Sequence, residues 1–145
     1  MEKAKVFIGC DHGGYALKEE LLPFIKSLGH EVEDMGTHSA ESVDYPVYGH
    51  LVAHAVVDHP GSMGIVICGS GIGISISANK VKGVRCALCH DHYTAEMCRR
   101  HNNANVIAFG ARVTGAEVVK DAIATFLSTP FEGGRHEKRV AQIEE

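Results

Sequence analysis

The sequence predicts an α/β fold with a five-stranded parallel sheet. Two observations carry that prediction. Short apolar, β-rich runs at Lys5 to Cys10, Glu31 to Met35, Met63 to Cys68, Val84 to Cys89 and Asn105 to Phe109 alternate with stretches able to form helices. Such alternation places the strands in a parallel sheet with helices on both faces. The chain has 145 residues, room for a single domain over residues 1–145 whose core is large enough to need no disulfide or metal staple.

After the first strand, Leu17, Leu21, Ile25 and Leu28 recur at spacings of four, four and three. They form one face of a helix that Gly29 can terminate. The segment after Cys68 is ambiguous, because Ile72, Ile74 and Ile76 alternate with Gly73, Ser75 and Ser77 at strand period. A helix is the reading that fits, since a parallel strand needs a crossover before the next one and Ser77 to Lys82 is otherwise the only room for it. Thr114 followed by Glu117 has the spacing of a capping box. It would open a helix whose buried stripe is Val118, Val119, Ala122, Ile123, Phe126 and Leu127. Beyond Pro130 a polar tail, residues 131–145, leads to a short helix over Glu137 to Ile143.

Composition excludes several function classes. A net charge of -4 with intermixed Lys, Arg, Asp and Glu leaves no basic field to track a phosphodiester backbone, so no nucleic-acid partner is expected. The first apolar stretch, Val6-Phe7-Ile8, is far shorter than the ~7–15 apolar residues of a signal peptide or the ~20 of a membrane span. A cytoplasmic protein without membrane attachment is expected. Five cysteines, an odd number without a small-domain spacing pattern, read as reduced thiols.

In open parallel sheets ligands bind outside the carboxyl ends of the strands. That rule selects Cys10-Asp11-His12-Gly13-Gly14 after the first strand, Cys68-Gly69-Ser70-Gly71-Ile72-Gly73 after the third, His90-Asp91-His92 after the fourth and Gly110-Ala111-Arg112 after the fifth. A cysteine before a glycine-rich turn into a helix has a helix N-terminus and unpaired amides to favour its thiolate, which can take a proton or attack an electrophile. The same residue also reads as a small buried hydrophobe at a strand end. Gly69, Ser70, Gly71 and Gly73 can wrap an anion, with the Ser70 hydroxyl as a further donor. The loop is no Walker A, for it lacks the Gly-Lys-Ser/Thr. Ile74 stands where the third glycine of a dinucleotide fingerprint would be, although Asp91 lies at the distance of that fingerprint's acidic residue. Cys86, Cys89, His90 and His92 suggest zinc, but residues three apart on a strand face opposite sides. His50, His54 and His59 read as the solvated face of a helix, and His101 with Asn102 as a helix end. Arg112, Arg135 and Arg139 are candidates for phosphate recognition, because guanidinium offers a fixed fork to oxyanions.

The segments Gly9 to Gly14, Asp44-Tyr45-Pro46, Cys68 to Lys80, Arg100-His101-Asn102, Phe109 to Val113 and Phe131 to His136 together closely resemble the type B ribose-5-phosphate isomerases. These sit in the sugar-phosphate isomerase family that also holds allose-6-phosphate and galactose-6-phosphate isomerases. The resemblance spans essentially the whole chain. It implies a single Rossmann-like three-layer domain, a homodimer or dimer of dimers with active sites shared between subunits, and no metal or organic cofactor. By the same resemblance, Cys68 is the base that moves a proton between C1 and C2 of the open-chain sugar phosphate, and His101 opens the furanose ring. Ser70 and the amides of Gly69, Gly71, Ile72 and Gly73 would stabilise the oxyanion, and Asp11 and Asn102 would hold sugar hydroxyls. His12, Arg112, Arg135 and Arg139 would bind substrate, the arginines as phosphate clamp. Many family members carry threonine at the position of Ser70, a change that keeps the hydroxyl. Ribose 5-phosphate and allose 6-phosphate both remain open as substrates. A non-catalytic nucleotide-binding module and a zinc-binding interaction domain are the readings from other classes.

Overall fold

The computed structural model describes residues 3–145. Its strands are β1 (Val6–Cys10), β2 (Val32–Asp34), β3 (Met63–Cys68), β4 (Cys86–Leu88) and β5 (Val106–Gly110). Its helices are α1 (Tyr15–Ser27), α2 (Tyr45–Asp58), α3 (Ile72–Asn79), α4 (His92–Arg100), α5 (Ala116–Ser128) and α6 (Arg135–Ile143), with a single 3-10 turn at His12–Gly14. The sheet runs β2-β1-β3-β5-β4 and every pairing is parallel.

Alternation along the strands splits the core into two layers. Ile8, Cys10, Ile65, Ile67, Ile107 and Phe109 meet α1, α4 and α5 through Leu21, Ile25, Cys98, Ile123 and Phe126. On the opposite face Phe7, Val66, Cys68 and Ala108 meet α2 and α3 through Val52, Val56, Ile74 and Ala78. The three-layer arrangement is the expected one, and the helix face of α1 ends where Gly29 takes a positive φ of 92°.

Some local expectations are corrected. The edge strands are shorter than the apolar runs that announce them, because a strand with one neighbour has half the ladder to hold its ends. β2 and β4 keep three residues each. The Thr114–Glu117 capping box does not form. Thr114 donates its amide to the Gly110 carbonyl in the turn that leaves β5, and Gly115 takes the N-cap position without a side-chain bond. The capping box of this fold is at Asp91–Thr94, opening α4. Val118 faces solvent, and the buried stripe of α5 is Val119, Ala122, Ile123 and Phe126. The segment after the glycine loop is helical from Ile72, as read from the need for a crossover, with Ile74, Ser75 and Ser77 inward and Ile72 and Ile76 outward. α6 starts two residues early, at Arg135.

One buried cation organises the carboxyl end of β1. Lys18 of α1 has a fully buried side chain whose Nζ donates to Asp34 at 2.6 Å and to Glu19 at 3.2 Å. Burial pulls the Lys18 pKa down, but the hydrogen bonds to Asp34 and Glu19 outweigh it, and the ammonium stays charged. Asp34 also accepts the Gly36 amide. Gly36 and Thr37 in turn bracket Cys10 through its amide and carbonyl at 2.7 and 2.8 Å. The loop after β2 is thereby fastened beside β1.

Cys10 sits in this layer with its thiol pushed from 9.0 up to about 12 by burial. Its folded form therefore keeps a proton that the unfolded chain loses, so the stability it contributes is complete below about pH 9 and declines as pH rises toward 12, by up to ~1.4 kcal/mol per pH unit. Cys10→Ala is expected to flatten this decline. Urea midpoints taken at about pH 8 and about pH 10.5 measure it.

Candidate active site

β1 and β3 are neighbours, yet the chain leaves β1 for the α1 face and β3 for the α3 face. Divergence of two adjacent crossovers opens a crevice at the carboxyl end of the sheet. Asp11 and His12 line it from one side and Cys68 to Gly73 from the other. Asp11 is buried, and its carboxylate accepts the Gly13 amide at 2.9 Å. His12 accepts the Val43 amide on Nδ1 at 3.1 Å, which leaves Nε2 as the ring's N–H donor.

The Cys68 side chain turns toward the α2 and α3 layer, opposite to Cys10 of the adjoining strand. Its Sγ accepts the Gly71 amide at 3.1 Å. Ser70 Oγ accepts the Ile72 amide at 3.2 Å. Among the described residues the Gly69 and Ser70 amides have no acceptor, so the loop presents donors to the crevice at the start of α3. Two glycines make this packing possible. Gly71 has φ 79°, and a Cβ there would fall 2.7 Å from the backbone of Phe109 and Gly110; a Cβ on Gly110 would run into the Ser70 carbonyl. Arg112 closes the side of the loop. Its amide donates to the Gly69 carbonyl at 3.0 Å, its guanidinium lies over Gly69, and among the described residues it has no carboxylate partner.

The other expected residues lie elsewhere. α4 starts at the carboxyl rim with His92 and runs back about 13 Å at the usual helical rise. It delivers His101 and Asn102 to the amino end of the sheet, where Arg85 enters β4 and donates to the Asn102 and Asn103 carbonyls. α6 docks at this same end, with the Glu132 amide donating to the Arg100 carbonyl at 3.0 Å. Arg135 and Arg139 stand one turn apart on it, both exposed. Within one chain, therefore, Asp11, His12, Cys68, Gly69, Ser70, Gly71, Ile72, Gly73 and Arg112 form one group. His101, Asn102, Arg135 and Arg139 form a second group at the opposite end.

His101 stacks on His136, with ring centroids 4.3 Å apart and planes 15° from parallel. Glu132 is 3.4 Å from His136 Nε2. These three side chains could be taken for metal ligands, but near-parallel stacked rings do not aim their lone pairs at a common point. The zinc reading of Cys86 and Cys89 also fails on geometry, because the two thiols sit in opposite core layers. Burial moreover pushes the Cys86 thiol well above the usual range, away from the thiolate that zinc needs. Asp91, the acidic residue of the dinucleotide reading, spends its carboxylate on the Thr94 amide and hydroxyl. His50, His54 and His59 are exposed along and just beyond α2, as expected.

The profile of the Ribose/Galactose Isomerase family matches residues 6–143. The chain belongs to that family. It is 47% identical over 139 residues to ribose-5-phosphate isomerase B of Escherichia coli, covering 96% of this chain and 93% of that one. The solved structure of Clostridium thermocellum ribose-5-phosphate isomerase B superposes with a TM-score of 0.94 at 53% identity, covering 97% of this chain and 95% of the other. A D-erythrulose-4-phosphate isomerase of Pectobacterium atrosepticum is 41% identical, over 95% of this chain and 91% of its own length. Membership makes the protein an isomerase, and the non-catalytic module is set aside.

Sequence reasoning gave no role to two residues in this geometry. His136 lies inside a segment that carries the family resemblance, and Arg85 is a charged residue opening an otherwise apolar strand, which is the signal that could have found it. At the crevice, Gly71→Ala is expected to leave a folded protein, destabilised by about 1–3 kcal/mol through its positive φ and the clash with Phe109 and Gly110. It is also expected to lower kcat by at least about 100-fold, since the amide on Cys68 moves with the loop. Thermal melting and steady-state kinetics on the same preparation measure the two effects.

Proposed function

We propose that this protein interconverts ribose 5-phosphate and ribulose 5-phosphate through an enediolate, in active sites each assembled from two protomers of a homodimer. The observation that carries the chemistry is the Cys68 sulfur at the crevice floor, with the Gly71 amide donated to it and the Gly69 and Ser70 amides free beside it. Cys68 takes the proton from C2 of the open-chain aldose and returns it to C1, while the proton of the C2 hydroxyl passes to O1 as the carbonyl re-forms at C2. The negative charge that develops on the carbonyl oxygen is met by the loop amides and the Ser70 hydroxyl, an oxyanion hole that does the work of a Lewis acid. The scheme needs neither metal nor organic cofactor.

His101 of a second protomer opens the furanose ring, taking the proton of the C1 hydroxyl and giving one to the ring oxygen. Asp11 holds hydroxyls from one side and Asn102 from the other. Arg112 and His12 of one protomer and Arg135 and Arg139 of the other bind the phosphate. The separation of the two residue groups within a chain supports this sharing, as does the surface beside the crevice. Val47 and Leu51 on α2 and Ile72 and Ile76 on α3 are 42–55% exposed, and form two i, i+4 ridges next to the Cys68 loop of the kind buried between protomers. All five cysteines are unpaired, in keeping with a cytoplasmic location. No helix is long and apolar enough to cross a membrane among the described residues.

Isomerisation assayed with chelator present, on ribose 5-phosphate beside allose 6-phosphate and erythrulose 4-phosphate, tests the substrate. The expected result is the highest kcat/KM for ribose 5-phosphate; a preference for either other sugar keeps the chemistry and overturns the pentose assignment. Cys68→Ala is expected to lower kcat at least ~1,000-fold with KM little changed, because it removes a proton-transfer group and no phosphate contact. A Cys68→Ala enzyme at the wild-type rate would exclude the thiol as base. His101→Asn is expected to slow turnover of cyclic ribose 5-phosphate more than the reverse turnover of ribulose 5-phosphate, which has no furanose ring to open.

A further inference from the structure

The turn that carries Asn102 leaves α4 through a left-handed residue. Asn103 has φ 47°, the left-handed backbone that asparagine adopts more readily than most residues with a side chain and that commonly ends a helix. The carbonyls of the last helical turn are met by the Ala104, Asn103 and Glu132 amides, but the Asn102 and Asn103 carbonyls beyond it accept no backbone amide among the described residues. One side chain meets both of these carbonyls. Arg85 Nε donates to the Asn102 and Asn103 carbonyls at 3.2 and 3.1 Å, and Nη2 donates to the Asn103 carbonyl at 2.9 Å. Its remaining arm, Nη1, donates to Glu144 at 2.7 Å just past the end of α6. Its own amide donates to Asn105 Oδ1 at 2.8 Å at the entry to β5.

We propose that Arg85 is a positioning residue that clips the 101–103 turn to α6, so that His101, Asn102, Arg135 and Arg139 reach a second protomer's crevice as one rigid unit. This rests on the proposed role of His101 and of the α6 arginines. α6 needs such a clip, because His136 is its single buried residue and the Arg85–Glu144 pair ties down its far end. Arg85 itself touches no reacting atom. The planar fork is essential, since an ammonium cannot serve carbonyls on one side and a carboxylate on the other in fixed geometry.

The test compares Arg85→Met, Arg85→Lys and Glu144→Gln with the wild-type homodimer, using ribose 5-phosphate kinetics and circular dichroism melting. Arg85→Met is expected to lower kcat/KM by roughly 10–100-fold, as misplacing catalytic groups by an ångström does; Arg85→Lys recovers only part of that. Glu144→Gln leaves the turn in place and frees α6, so it is expected to raise KM several-fold with kcat near wild type. A merely structural role would not split the constants in this way. A folded Arg85→Met with wild-type constants overturns the proposal. Should Arg85→Met fail to fold, Glu144→Gln decides: an unchanged KM overturns the proposal and the expected split upholds it. His101→Asn run in the same assay separates the two layers. At the wild-type rate it removes the ring-opening reading and this proposal with it, whereas an impaired His101→Asn beside an unimpaired Arg85→Met removes the Arg85 proposal alone.

Discussion

A strand that is to pair in parallel with another must be reached by a connection running back the full length of the sheet. Every crossover in this chain obeys that constraint, and the site inherits its layout from it. Strand ends and helix beginnings gather at one rim, where the Cys68 loop meets Asp11, His12 and Arg112. Helix ends gather at the other, and α4 therefore carries His101 and Asn102 away from the thiol. No adjustment of loops within one protomer reverses this, because the length of α4 separates its start at the carboxyl rim from His101. A second copy presenting its amino-end group to the first copy's crevice, as proposed, would satisfy the chemistry without violating the topology.

Cys10 and Cys68 show how finely the sheet sorts equivalent residues. Both end central strands at the same rim, and both are buried. Strand alternation sends Cys10 into the α1 layer, where burial keeps its thiol protonated, and Cys68 into the opposite layer against the N-terminal turn of α3. There a left-handed glycine brings a backbone amide to the sulfur. The Lys18–Asp34 pair fastens the loop after β2, and Val43 of that loop sets the tautomer of His12. A salt bridge remote from the thiol thus contributes to the crevice wall.

Much of this was legible beforehand. The parallel three-layer fold followed from runs whose apolar character reports burial on both faces, and the rim residues followed from the carboxyl-end rule without knowledge of any reaction. Local polar signals misled where tertiary bonds competed for the same group: Thr114 gives its amide to the turn after β5, so its spacing to Glu117 carried no cap. The alternation of Ile72, Ile74 and Ile76 left the period ambiguous, because the outward isoleucines of α3 form an exposed apolar ridge and not a core face, and the need for a crossover decided for helix. The distance between Cys68 and His101 was not legible, since motif order along the chain carries no information about which end of the sheet each motif reaches. Arg85 escaped for a related reason. Its partners lie 17, 18 and 59 positions away, beyond the reach of any spacing rule.

The relatives are named for sugar phosphates that differ in length, ribose 5-phosphate and D-erythrulose 4-phosphate among them, and the proposed composite site suits such variety, because the separation of its two halves would be set at the interface. The claim on which this account stands is that each active site takes its thiol from one chain and its imidazole from another. Mixing Cys68→Ala with His101→Asn protomers, unfolding and refolding them together, and assaying ribose 5-phosphate turnover tests that claim most directly. Activity well above the sum of the two parents, from mixed dimers that hold one site with both groups intact, is the predicted result. Activity no higher than that sum, in mixtures shown to contain mixed dimers, would contradict it.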